Sequence, residues 1–151
     1  MSSAKGRVPQ GLIDTTLVHL EAAWKEREEE AKGLSGLGFH STAAALRLYA
    51  LEILVKVVIC KHLNLPSLPA ACKSHNLVEL LVYTGAWREM QDPSCSLVRE
   101  NWDTLVEYSR DRLNDLRYEP RTELTQEDVA RIDAALDEPD TGVLAWLSKR
   151  T

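Results

Sequence analysis

Residues 40–66 decide the fold, with the sequence HSTAAALRLYALEILVKVVICKHLNLP. Ser41 is a suitable N-cap, and the spacing of the apolar residues predicts a helix from there to about His62. One apolar stripe of this helix fits a bundle core and consists of Ala44, Leu48, Leu51, Val55, Val58 and His62. A second stripe follows another side and consists of Leu46, Ala50, Ile53, Val57 and Cys60, with Tyr49 beside it. A helix that is apolar on two sides must be buried on both.

Two arrangements can bury the second stripe. In the first, the helix lies at the centre of the bundle, and the helices around Trp87 and Trp146 cover the stripe within one chain. In the second, the stripe meets a second copy of the chain, since a continuous exposed apolar patch marks an interaction site and most homo-oligomers are two-fold dimers. The pattern leaves both open. The expectation carried forward is a homodimer through Leu46, Ala50, Ile53 and Val57.

Capping signals bound the helices on either side. A first helix is predicted for residues 14–32, and Gly33, Gly36 and Gly38 are expected to break it. Asn76 and Glu79 resemble a capping box at the start of a short helix, which Gly85 is expected to end.

The C-terminal half is helical by the same criteria. Ser94 is expected to cap a long helix over about residues 95–117, which Pro120 stops. Thr125 and Asp128 cap a shorter helix, and a last turn or two follows. The predicted fold is therefore all-α: an up-and-down bundle of four main helices with one or two shorter C-terminal helices.

Composition agrees with a single helical domain. The chain has 151 residues, of which 44% are apolar and 27% charged, and it contains one phenylalanine, seven glycines and six prolines. A chain of this size buries a real core, and the scarcity of strand and turn formers disfavours a β fold. We expect residues 1–10 to form a disordered tail and residues 11–151 to form one domain.

Charges and cysteines bear on location and partners. The start of the chain has no apolar leader, and Arg47, Glu52 and Lys56 interrupt its most apolar stretch. We therefore expect a cytoplasmic protein without a membrane contact. Three widely spaced cysteines suit reduced thiols. A net charge of −5 repels phosphate backbones on average, so nucleic-acid binding would need a local basic patch.

Three runs of the sequence resemble the HEPN (higher eukaryotes and prokaryotes nucleotide-binding) domains. They are HSTAAALRLYALEILVKVVICKHLNLP, KSHNLVELL and LVEYSRDRLNDLRYEP, which together span roughly residues 40–120. The resemblance implies a helical bundle that dimerises. Many members are metal-independent RNases of toxin–antitoxin or defence systems, and others are non-catalytic.

The catalytic motif of that family is incomplete in this chain. Its signature is an arginine, usually followed by a polar residue, and a histidine about four to six residues after the arginine. Arg110 and Asp111 match its start, but Arg117 stands where the histidine would be, and a second frame from Arg112 to Arg117 lacks it too. Arginine stays protonated and cannot act as a general base near neutral pH. The sequence therefore predicts no catalytic residue and disfavours an RNase.

An anion-binding surface is what the resemblance still implies. Arg110 and Arg117 are seven residues apart and share one helical face with Asn114, and Tyr118 could stack on a base. Glu52 occupies the position where the family often has an acid that orients the motif arginine. The alternative is that these arginines only pair with nearby acids on a solvated helix, because residues 99–121 hold five arginines and six acids.

Two cysteines and two histidines lie close together in the sequence, but their spacing disfavours a zinc site. Cys60, His62, Cys72 and His75 fall within sixteen residues, which suggests zinc by composition. Cys60 and His62, however, are two apart on a predicted helix and point in roughly opposite directions. We assign no metal or other cofactor.

The functional prediction is a HEPN-like, non-catalytic domain that binds RNA or a protein partner in a toxin–antitoxin or defence system. A nucleotidyltransferase-like protein is one such partner. The alternatives are a purely structural protein–protein interaction bundle, or an RNase with an unusual residue set.

Overall fold

The computed structural model describes residues 15–112 and 124–151. Within these residues the chain forms seven α-helices and no β-strand, which confirms the predicted all-α class. The helices are α1 (Leu17–Gly36), α2 (His40–Leu63), α3 (Leu77–Tyr83), α4 (Trp87–Met90), α5 (Ser96–Arg112), α6 (Gln126–Asp137) and α7 (Val143–Ser148). None of the helices in this part is both long and apolar enough to cross a membrane.

Helix α2 is the centre of the bundle. It packs against α1 along most of its length and also contacts α3, α6 and α7. More than half of its residues are buried. The expected core is confirmed for Leu48, Leu51, Val55, Trp102 and Leu105, while Trp24 packs against it half-buried. Leu113, also expected there, lies outside the described residues.

The second apolar stripe of α2 is covered within one chain. Ala50, Val57 and Cys60 have no exposed surface, whereas Leu46 and Ile53 are half-buried. The expectation that a second copy buries this stripe is therefore wrong for the three fully buried residues. The reason is that α3, α6 and α7 pack around α2, so the central-helix arrangement holds.

His62 was expected in the core stripe, and that prediction is wrong. It lies in the last turn of α2 and is exposed. Its ring lies over Gly85, where a Cβ atom would come within 2.4 Å of two ring atoms. Gly85 also has a φ of +74°, which favours glycine. The close approach of His62 and the turn after α3 therefore both depend on Gly85.

Helix α1 continues beyond its predicted end. Gly33 does not break it, and the helix ends at Gly36. A single glycine is tolerated inside a helix at a modest free-energy cost. The chain leaves the helix where Gly38 adopts a φ of +89°.

One predicted capping box is confirmed in full and one in half. The Asn76 side chain accepts a bond from the backbone N–H of Glu79 at 3.2 Å, but the backbone N–H of Asn76 donates to Ser74 Oγ at 3.0 Å and not to Glu79. Thr125 and Asp128 form a reciprocal capping box in which each side chain accepts the other residue's backbone N–H at 3.0 Å.

Two other predicted caps are wrong because the serines have different partners. Helix α2 begins after Phe39, and the Ser41 hydroxyl instead donates to the carbonyl of Leu124 at 3.2 Å. Before α5, Asp92 caps a short 3-10 turn and accepts the backbone N–H of Ser94 at 2.9 Å. The predicted end of this long helix, residues 113–117, lies outside the described residues.

Tyr108 connects α5 to the start of α6. Its hydroxyl donates to Asp128 Oδ1 at 2.7 Å, and its side chain is buried. Burial, together with this hydrogen bond, raises the pKa of Tyr108 to about 12 from an ordinary value of 10.0. A folded-state pKa above the unfolded value stabilises the fold fully below pH 10, and this contribution is lost as the pH rises towards 12.

Tyr108→Phe should therefore lower the free energy of unfolding at neutral pH by about 1.5 kcal/mol, the low end of the range for one hydrogen bond to a charged group. Urea unfolding at pH 7 and at increasing alkaline pH measures this. The difference in free energy of unfolding between wild type and variant should shrink above pH 10, because Tyr108 ionises there in the unfolded chain and stays protonated in the folded chain up to about pH 12. A difference that stays constant up to pH 12 would show that the fold does not raise the pKa of Tyr108.

Candidate functional site

The predicted anion-binding residues lie at the end of α5. Arg110 is exposed in the last described turn of this helix, on the outside of the bundle. Glu107 and Asp103 are exposed about one and two turns before it, respectively. Asn114, Arg117 and Tyr118 lie outside the described residues, so of the four predicted contact residues only Arg110 has a described position.

Glu52, the fifth predicted site residue, is buried in the middle of α2. The side chain of Lys56, one turn further along, donates to Glu52 Oε2 at 3.2 Å. His75 lies just before α3, and its Nδ1 is 3.1 Å from both oxygens of the Glu52 carboxylate. Glu52 is 7% and Lys56 9% exposed, so this is a buried ion pair to which a surface histidine is added.

This cluster has one accessible member. The His75 side chain is 80% exposed, while the side chain of Glu52 is 9% exposed. A carboxylate accepts hydrogen bonds, so the Nδ1–H of His75 is the donor in this contact. The Glu52 carboxylate therefore orients a surface imidazole and compensates a buried ammonium. Orientation of the motif arginine remains a prediction of the family resemblance.

The four residues weighed for zinc do not form a site. Within the described ranges, no group of three or more metal-binding side chains comes together. Cys60 and Cys72 are both buried, and burial raises the pKa of each thiol. Buried, protonated thiols are poor nucleophiles and poor metal ligands.

A second polar cluster surrounds Arg47 on the outer side of α2. Its Nε and Nη2 donate to Glu28 at 2.9 and 3.1 Å. Its Nη1 donates to Asp133 at 2.9 Å, and Nη1 and Nη2 donate to Asp137 at 2.7 and 2.6 Å. Burial alone would lower the pKa of Arg47, but the three carboxylates outweigh burial and raise it. All five guanidinium N–H groups are thus used, and they tie α1 and α6 to α2.

A groove opens beside this cluster. A cavity of about 470 Å³ is lined by residues of α1, α2 and α6, including Glu28, Arg47, Asp133 and Asp137. A neighbouring cavity of about 360 Å³ is lined by Phe39 and Leu124 among others. The two cavities share His40 and Val129 in their walls. We call the two together the acidic groove.

Sequence reasoning missed both the Glu52–His75 contact and the Arg47 cluster. Glu52 and His75 are 23 residues apart, and Arg47 is 86 and 90 residues from its two aspartates. The one available signal was local, because Arg47, Glu52 and Lys56 interrupt an otherwise apolar stretch. A charge on a helix that is buried on several sides needs a partner, but its position along the chain does not identify that partner.

No family model, curated protein or solved structure matches this chain. The resemblance to HEPN domains therefore rests on the sequence runs alone.

Proposed function

We propose that this chain is a HEPN-like domain that binds RNA without cleaving it, in a toxin–antitoxin or defence system. The observation that supports binding over catalysis is the motif itself, in which no histidine follows Arg110 or Arg112. The Glu52 carboxylate accepts from His75 and Lys56, and it has acceptor sites for a further donor, so the proposal keeps Glu52 as the acid that orients the motif arginine.

The RNA contact is proposed for the end of α5. Arg110 is exposed there, and the sequence continues with Asn114, Arg117 and Tyr118. Arginines contact phosphates bidentately, and a tyrosine can stack on an unpaired base. Single-stranded RNA is the favoured form, because its bases are accessible for stacking.

Arg110→Ala should weaken binding of a labelled single-stranded RNA by about three- to tenfold and reduce the slope of log affinity against log salt by about 1, as expected for one lost phosphate contact. Fluorescence anisotropy at several salt concentrations measures both quantities. Arg88→Ala is the matched control, because Arg88 is also exposed but lies on α4. Equal losses in the two variants would mean that only net charge matters, which would contradict a site at Arg110.

A homodimer remains part of the proposal, since dimerisation in the resembling family brings two motif helices together. Leu46 and Ile53 are the residues of the second stripe of α2 that retain exposed surface. Light scattering over a range of concentrations tests it. A strictly monomeric protein at high concentration would end the dimer proposal and leave the RNA proposal in place.

A further inference from the structure

The acidic groove combines two kinds of surface in two neighbouring cavities that share His40 and Val129. Helices α1 and α6 form its walls and both pack on α2, which supplies its floor. Its volumes of about 470 and 360 Å³ fall within the range of binding pockets. Arg110, the one described residue among the proposed RNA contacts, lines neither cavity.

One end of the groove carries more negative charge than its own arginine neutralises. Glu28, Asp133 and Asp137 face Arg47 there, and Lys32 also lines the cavity. The lining of this cavity thus holds three carboxylates against two basic side chains, an excess of one negative charge. The side chains of Asp133 and Asp137 are 47% and 56% exposed, so each has oxygen surface available beyond its bond to Arg47. This end is suited to a cation from outside.

The other end of the groove is apolar. Phe39 is 37% exposed, and Leu124 and Val129 form the wall beside it. Leu37, which immediately precedes this stretch, is 75% exposed. Along α6, Val129 lies about 12 Å from Asp137, because eight residues separate them at 1.5 Å each. A ligand that fills the groove therefore needs an apolar group and a cationic group about two helical turns apart.

We propose that the acidic groove binds a basic, amphipathic helical segment of a protein partner. An apolar side chain of that segment packs on Phe39 and Val129, and a lysine or arginine seven or eight positions away reaches Asp133 and Asp137. Charge complementarity selects this occupant, because the carboxylates repel the phosphates of a nucleic acid. The inference goes beyond the proposed function and does not rest on it.

A synthetic peptide tests the inference. The probe is a labelled 16-residue helix of leucine, alanine and lysine, with the leucines on one face and lysines placed seven positions from them. The double variant Asp133→Asn/Asp137→Asn should weaken its binding by about tenfold, as expected for two partly exposed charge pairs. Glu100→Gln/Asp103→Asn is the matched control, since it removes the same charge from exposed positions on α5.

The apolar end is tested separately with Phe39→Ser, which should also weaken peptide binding while leaving RNA binding unchanged. Circular dichroism confirms that each variant is folded. The inference fails if the wild-type protein does not bind the probe, or if the matched control loses as much affinity as the groove variant. It also fails if a peptide of the same composition in scrambled order binds equally well, because binding would then depend only on the net charge of the peptide.

Discussion

Glu52→Ala should lower the free energy of unfolding by about 3–5 kcal/mol, the usual result of removing one partner from a buried ion pair. Lys56, which is 9% exposed, would keep its charge in the core of the bundle without the carboxylate that compensates it. His75 would also lose its hydrogen-bond partner. Because a domain of this size is typically stable by about 5–15 kcal/mol, the variant should be close to unfolding under native conditions. Urea denaturation followed by circular dichroism measures the change.

The double variant Glu52→Met/Lys56→Met is the control for this prediction. It removes both charges and replaces them with apolar side chains of similar length, so its stability should lie within about 1 kcal/mol of wild type or above it. If Glu52→Ala is as stable as wild type, Lys56 has another partner or reaches solvent, and the buried-pair account is wrong.

Val57→Glu should destabilise the protein by about 3–5 kcal/mol, because it places an unpaired charge at a position with no exposed surface. Val57 belongs to the second stripe of α2, which the packing of α3, α6 and α7 covers within one chain. The expected result is a loss of helical signal or a much lower midpoint in thermal unfolding.

Val82→Glu is the matched control, since the same substitution is made at a valine on α3 that is 56% exposed. Its stability should change by no more than about 0.5 kcal/mol. If the wild-type protein is a dimer and Val57→Glu is a stable, fully folded monomer, the second stripe of α2 is buried between chains and the account of its burial within one chain is wrong.

Much of the fold could be predicted because the apolar pattern of α2 alone indicates a central helix or an interface helix. Two apolar stripes on one helix require burial on both sides, and that requirement is met. The pattern does not say which surface provides the burial. A dimer partner and the helices of the same chain satisfy it equally, so the expected homodimer stripe was wrong for Ala50, Val57 and Cys60.

Local caps were predictable where the side chain and the backbone N–H that it accepts lie a few residues apart in the sequence. Thr125 and Asp128 lie three residues apart and form the predicted box, although Asp128 Oδ1 also accepts the Tyr108 hydroxyl. Ser94 lost its expected role to Asp92, a stronger acceptor two residues earlier. The candidate sites were harder to predict, because the partners of Glu52 and Arg47 come from distant parts of the chain and depend on how the helices pack.

We propose that this domain binds RNA and leaves it intact. The most direct measurement incubates the wild-type protein with end-labelled single-stranded RNA in EDTA, and follows both the bound fraction and the length of the RNA over time. We expect binding that weakens as salt rises, with full-length RNA recovered throughout, because no histidine accompanies the motif arginines of this chain. Metal-independent cleavage that Arg110→Ala abolishes, or the absence of any binding at low salt, would contradict the claim.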